Sequence, residues 1–115
     1  MKIFHNAGPW PFLVALSLFL NSTAALAQVD EDAAQALAKK GNCFKCHAVE
    51  KRKKAPSYRE ISAKHRGKPG AEVFLFKHLH GETVVQTDDG DEKHAPPPAK
   101  DKSEIDNLIR WILSL

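Results

Sequence analysis

The chain has 115 residues, of which 17 are basic and 14 acidic, giving a net charge of +3. So even a balance does not mark a nucleic-acid-binding surface. Its two cysteines, Cys43 and Cys46, leave no second pair to complete a four-cysteine zinc site.

The N-terminus reads as a secretion signal over residues 1–27. Lys2 supplies the positive end, residues 12–20 form an apolar core, and Ala25-Leu26-Ala27 fits the small-x-small cleavage rule. The apolar run is too short to span a bilayer comfortably; an uncleaved anchor is the alternative. Cleavage after Ala27 removes Lys2 and no acidic residue, leaving 88 residues at a net charge of +2. Residues 28–115 then form one small exported domain. A domain of that size buries too little surface to be comfortably stable without a staple or a cofactor.

The first predicted helix runs from about Asp30 to Lys40, with Ala33, Ala34, Leu37 and Ala38 on one stripe. Acidic residues open it and lysines close it, matching the helix dipole at both ends, and Gly41-Asn42 stops it. The next five residues, Cys43-Phe44-Lys45-Cys46-His47, carry the chemistry. Cys-x-x-Cys-His is the attachment pattern of a c-type haem: each thiol can form a thioether, and the histidine can donate an imidazole nitrogen to the iron. A thioredoxin-like redox pair would follow a strand, and little in this chain reads as one. Export also supports the haem reading, because both cysteines are used and none is left over.

A basic run, Lys51-Arg52-Lys53-Lys54, comes next, followed by Pro56, which holds the chain out of a helix. Ser57 is placed to cap a short second helix through Tyr58, Ile61, Ser62 and His65. Gly67, Pro69 and Gly70 interrupt the chain. Ala71 to His80 is a third helix, apolar around much of its surface and expected to pack on two sides. Between Glu82 and Lys102 little regular structure is expected beyond a brief extended piece at 83–87 and a turn at 88–91. The acidic residues of that turn lack the twelve-residue calcium-loop pattern. Pro96-Pro97-Pro98 enforces extended geometry, and a loop this long usually serves a site. The last helix is the clearest: Ser103 is a good cap, and Ile105, Leu108, Ile109, Ile112 and Leu113 recur at helical spacing, flanked by Trp111.

Taken together, the helix before Cys43–His47, the proline soon after it, the late proline-rich loop and the terminal Leu-Ile-Arg-Trp-Ile-Leu-Ser-Leu resemble a small bacterial class I cytochrome c. The resemblance covers residues 30–115. It implies an all-α fold of three to five short helices around one covalent haem c and its iron, with the first and last helices crossing. It also implies that Cys43 and Cys46 attach the haem, that His47 ligates the iron, and that Pro56 offers its carbonyl to His47. The chain departs from the family at the second axial ligand, usually a methionine in the late loop. Its single methionine is Met1. Aligning the prolines puts Ala95 at that position, with His94 one residue before it. Three arrangements remain open: His94 as sixth ligand, another side chain (His80, then His78, His65 or a lysine), or an open iron beside Ala95.

The function expected is one-electron transfer in the periplasm, with bis-histidine ligation. The alternative is a haem module that binds or senses nitric oxide or carbon monoxide at an open distal face. No constellation of acid and base groups suggests an enzyme. Lys39, Lys40, Lys45, Lys51, Arg52, Lys53 and Lys54 form a basic field near the motif that can steer an acidic redox partner protein, or simply be a solvated surface. No nucleic-acid partner and no membrane span after signal cleavage are expected.

Overall fold

The computed structural model describes residues 27–81 and 83–115; the secretion signal expected over residues 1–27 falls outside these, Ala27 apart. The described chain contains α1 (Glu31–Lys40), a short 3-10 turn (Cys43–Lys45), α2 (Tyr58–His65), α3 (Ala71–His80), strands β1 (Val84–Thr87) and β2 (Gly90–Lys93), and α4 (Lys102–Ser114). The architecture is all-α apart from one antiparallel hairpin. The core cluster draws on α1, α2, α3 and α4.

The α1 helix begins where the Asp30 carboxylate accepts the Ala33 amide at 2.9 Å, satisfying one of the orphan donors of the first turn. Its buried residues are Ala34, Leu37 and Ala38. Two of these are alanines, and their small size allows α1 to approach α4 closely. The helices are also fastened at their polar edge: Asn107 of α4 accepts the Asp30 amide at 2.9 Å and donates to the Asp30 carbonyl at 2.7 Å. On the facing side, α4 buries Ile105, Leu108, Ile109, Trp111 and Ile112. This is the predicted stripe with Trp111 drawn fully into it and Leu113 only partly buried at its edge.

Ser57 caps α2 through a reciprocal box. Its hydroxyl accepts the Glu60 amide at 3.1 Å, and the Glu60 carboxylate accepts the Ser57 amide at 2.7 Å. Farther along, the buried Ser62 hydroxyl donates to the Leu113 carbonyl at 3.0 Å and accepts from Arg66 at 2.9 Å. The Arg66 guanidinium also donates to the Leu115 carbonyl at 2.5 Å. The end of α2 thus satisfies carbonyls that the last turn of α4 leaves without intrahelical partners.

Three expectations are corrected. The segment expected to have little regular structure folds into a hairpin, with Val84 opposite Lys93 and Thr87 opposite Gly90. Its two-residue loop, Asp88-Asp89, is followed by Gly90 at φ 113°, a conformation that glycine adopts without a Cβ clash. The cap of α4 is Asp101 rather than Ser103: its carboxylate accepts the amides of Ser103 at 2.9 Å and Glu104 at 3.2 Å. Ser103 lies inside the first turn, and its hydroxyl donates to the same carboxylate. Finally, α3 does not pack on two sides. Ala71, Leu75 and Leu79 are buried, whereas Val73 and Phe74 are 59% and 55% exposed.

Two substitutions test this framework by denaturant titration. Ser57→Ala removes a buried cap and is expected to lower the unfolding free energy by about 1 kcal/mol. Trp111→Ala, which opens a cavity at the centre of the cluster, is expected to cost about 3–5 kcal/mol.

Candidate functional site

The loop after α1 is built from short-range backbone contacts. Asn42 adopts a left-handed conformation at φ 56°, tolerable for asparagine, and turns the chain out of α1 into the Cys43–Lys45 turn. The His47 amide donates to the Cys43 carbonyl at 2.9 Å. Residues 48–59 then fold back. The amides of Ala55, Tyr58 and Arg59 donate to the carbonyls of Cys46, Ala48 and Val49 at 3.0, 2.9 and 3.2 Å, and the Lys53 ammonium donates to the Phe44 carbonyl at 2.5 Å.

That return brings Pro56 over the imidazole. His47 Nδ1 lies 2.6 Å from the Pro56 carbonyl oxygen. A carbonyl can only accept, so Nδ1 carries the proton, and a neutral ring keeps its lone pair on Nε2, the nitrogen available to a metal. The ring is held on its flat side by Tyr58, stacked at a centroid distance of 5.3 Å and an angle of 15°. Tyr58 is itself wedged edge-on between Trp111 at 5.4 Å and Phe44 at 6.0 Å. Burial pushes its phenol far above the ordinary range, aided by Cys43 alongside, so it acts here as a neutral aromatic. Burial likewise raises the Cys43 thiol.

One cleft gathers the candidate residues. Cys43, His47 and Tyr58 line one part of it, His78 and His94 another, and aliphatic side chains such as Leu75 and Leu108 fill in between. The ring centroids of His47 and His94 are 6.3 Å apart, and those of His94 and His78 only 4.4 Å. Burial lowers the His94 pKa to about 4, with the neighbouring His78 and His47 adding to the effect. His94 Nδ1 is buried without a hydrogen-bond partner among the described residues. This combination suits a haem: the free Cys43 thiol on the cleft with the free Cys46 thiol three residues on, apolar walls, and two imidazoles on the same cleft.

The other described histidines, His80 and His65, lie elsewhere. His80 is exposed, with its ring stacked on Phe76 at 4.4 Å. His65 stacks on the exposed Phe74 at 5.0 Å. One cleft residue carried no sequence signal of its own: Tyr58 read only as the start of a helix. His78, named after His80 as an alternative ligand, is the one of those two that lines the cleft. Of the basic field, Lys54 pairs with Asp89 at the hairpin tip, Arg52 with Glu60 at 3.1 Å, and Lys53 points back to Phe44. Lys39, Lys40, Lys45 and Lys51 are exposed.

A helix-bounded Cys-x-x-Cys-His loop whose histidine is held by a proline carbonyl defines a small mono-haem c-type carrier fold. The chain belongs to the cytochrome c family, whose profile matches residues 31–115, and its cofactor is one covalently bound haem c with its iron. It is 34% identical over 82 residues to cytochrome c2 of Rhodocyclus tenuis, covering 70% of this chain and 89% of that protein. With cytochrome c-552 of Nitrosomonas europaea it shares 36% over 95 residues, covering 80% and 84%. The class 1 cytochrome MtoD of Sideroxydans lithotrophicus ES-1 superposes with a TM-score of 0.71 at 44% identity, covering 76% of this chain and 97% of MtoD. Like these proteins, the chain is a haem-based electron carrier with the class I cytochrome c fold.

Gly41 is where the proline-rich loop crosses the motif. A Cβ there would stand 3.2 Å from Pro98 Cδ and 3.3 Å from both Cys43 Sγ and Pro97 Cα. Gly41→Val is therefore expected to push the 97–98 segment off the motif and to lower stability by about 1–3 kcal/mol, measured by urea unfolding of the holoprotein.

Proposed function

We propose that the protein is a periplasmic one-electron carrier in which Cys43 and Cys46 attach the haem and His47 and His94 hold its iron from opposite faces. The observation that carries this reading is the 6.3 Å between the His47 and His94 ring centroids across the cleft. A metal–imidazole bond is about 2 Å long, so two imidazoles on opposite sides of one metal place their ring centres roughly 6 Å apart. The hydrogen bond to Pro56 occupies His47 Nδ1 and leaves Nε2 as the nitrogen free for the iron. His94 brings a second imidazole to the same cleft, with a buried Nδ1 that has no hydrogen-bond partner among the described residues. The haem supplies the one-electron couple. His47 and His94 would hold the group while Leu75, Leu79 and Leu108, which line the same cleft, would keep water from it, so little would have to move when the charge changes.

Residues 1–27 act as the export signal in this reading, and residues 28–115 form the exported domain. The carrier transforms no substrate of its own. Lys39, Lys40, Lys45 and Lys51 provide the solvent-facing part of a basic surface on which an acidic redox protein docks. The lysine–aspartate pair at the hairpin tip makes Lys54 less available for that role.

The test is the absorption and electron paramagnetic resonance spectrum of the oxidised holoprotein beside that of His94→Ala. A low-spin wild type that turns high-spin in the variant is the expected outcome. A wild type that is already high-spin and takes up carbon monoxide quickly would replace this reading with a small-ligand-binding module. Identical low-spin spectra would put a residue other than His94 on the iron. A second imidazole in place of a thioether also favours the ferric state. Redox titration is expected to give a lower potential than in methionine-ligated relatives. Docking is tested separately: oxidation by a small anionic reagent should slow as ionic strength rises, and slow further in Lys45→Glu/Lys51→Glu. Rates indifferent to salt would remove the basic surface from the proposal.

A further inference from the structure

The outer face of α3 carries an apolar pair, Val73 at 59% and Phe74 at 55% exposure. Apolar residues scattered singly on a surface need no explanation. This pair has three features that scatter does not supply. The first is that Phe74 is held in place while exposed. From α2, His65 stacks on it at 5.0 Å and 19°. Within α3, His78 lies nearly parallel to it at 6.4 Å and 13°. Burial lowers the His65 pKa, and Lys64 and Lys68 lower it further, so at neutral pH His65 is a neutral stacking ring. An aromatic anchor fixed in this way loses little side-chain freedom on docking.

The second feature is the rim. Lys64 adjoins His65, the Lys68 amide donates to the His65 carbonyl at 3.1 Å, and both lysines are exposed. Lys77 is exposed too, and stands one helical turn from Val73 and Phe74. None of these three lysines enters an ion pair among the described residues. From Tyr58 to His80 the acids are Glu60 and Glu72, and Glu60 is taken up by the α2 cap and by Arg52. The third feature is place. His78 lines the cleft with His47 and Leu75, so a partner seated on Phe74 meets the outer side of the cleft wall. This face belongs to α2 and α3, whereas Lys39, Lys40, Lys45 and Lys51 lie on α1 and in the loop after it.

We infer that the Val73–Phe74 face, bordered by Lys64, Lys68 and Lys77, is a second docking surface. Its occupant is a redox protein whose own apolar patch is edged with carboxylates. Charge complementarity selects that occupant: the apolar pair supplies the central contact, and the lysines steer and orient an acidic rim. The area is small, as suits a transient electron-transfer encounter rather than a permanent complex. A carrier has to meet both a donor and an acceptor, and two surfaces let it do so without one displacing the other. The inference rests on the carrier function and not on His94 being a ligand.

The test uses the holoprotein at low ionic strength with an acidic flavodoxin as probe. Amide resonance shifts of the isotope-labelled holoprotein on adding the probe should cluster at residues 64–68 and 73–77. Phe74→Ser should weaken the complex about tenfold. Lys64→Glu/Lys68→Glu should slow association and remove much of its salt dependence. Both variants should keep the wild-type potential and electron paramagnetic resonance spectrum, which separates lost docking from a damaged haem site. Shifts confined to residues 39–51, or a complex indifferent to both variants, would overturn the second surface while leaving the carrier and its other basic surface intact. If Phe74→Ser disturbs the spectrum, Lys64→Glu/Lys68→Glu decides, and an unchanged association rate overturns the inference. Two other occupants are checked with the same proteins. Binding to phosphatidylglycerol vesicles, or concentration-dependent dimerisation, that Phe74→Ser abolishes while the flavodoxin complex survives would give the face to a membrane or to a second copy instead.

Discussion

The 2.6 Å hydrogen bond from His47 Nδ1 to the Pro56 carbonyl is the contact on which the cleft depends. It spans nine residues, and its geometry is set almost wholly by the backbone of residues 48–57 folding back onto Cys43–His47. It fixes the tautomer of His47, and with it which nitrogen can face a metal. Proline suits the acceptor position because its φ is constrained and no amide hydrogen competes for nearby carbonyls. Tyr58, two residues later, begins α2 and lays its ring on the same imidazole. The cap of α2 therefore positions the His47 ring indirectly: Ser57 sets where the helix starts, and the helix start sets where Tyr58 stands.

The same economy is visible in the scaffold. The α4 helix packs against α1, α2 and α3, and its apolar stripe supplies both the centre of the core and part of the cleft wall, through Leu108 and Ile112. A domain with so small a core relies on such shared residues. Truncating one loosens the site and the fold together, and a haem packed against them stabilises both. Of the polar ties, Asp30 with Asn107 fastens the start of α1 to the middle of α4, and Arg66 with Leu115 holds the end of α4, where it would otherwise fray. They set the register of helices whose small inner residues would allow sliding.

What could be read from the sequence was the part governed by local rules. Helix stripes at i, i+3 and i+4, the Ser57 box and the Cys-x-x-Cys-His spacing each lie within one or two turns of chain, and the helices appear within a residue or two of the expected limits. The errors arose where two local signals compete or where the partner is distant. Asp101 and Ser103 are both good caps, and the carboxylate accepts two amides as well as the serine hydroxyl. The Gly-Asp-Glu-Lys of β2 has no strand propensity. It pairs because the Asp88-Asp89 turn brings it against Val84–Thr87, with Lys54 holding the tip through Asp89. Tyr58 and His78 face the cleft through long-range packing, which spacing along the chain does not encode.

The hairpin explains why His78 and His94 meet at all. They are sixteen positions apart in the sequence, and a chain of that length left open would seldom bring two particular rings together. Antiparallel pairing of Val84 with Lys93 cancels most of the separation, and the bond from the His94 amide to the Thr83 carbonyl completes the closure. Thr83 stands only three residues beyond the end of α3 at His80, so whatever follows β2 must return to the C-terminal half of that helix. In the proposed bis-histidine arrangement, the hairpin base supplies what a late-loop methionine supplies elsewhere. The residue directly after β2 is delivered by backbone pairing rather than by side-chain packing, while the stiff Pro96-Pro97-Pro98 segment beyond it carries the chain across Gly41 toward α4.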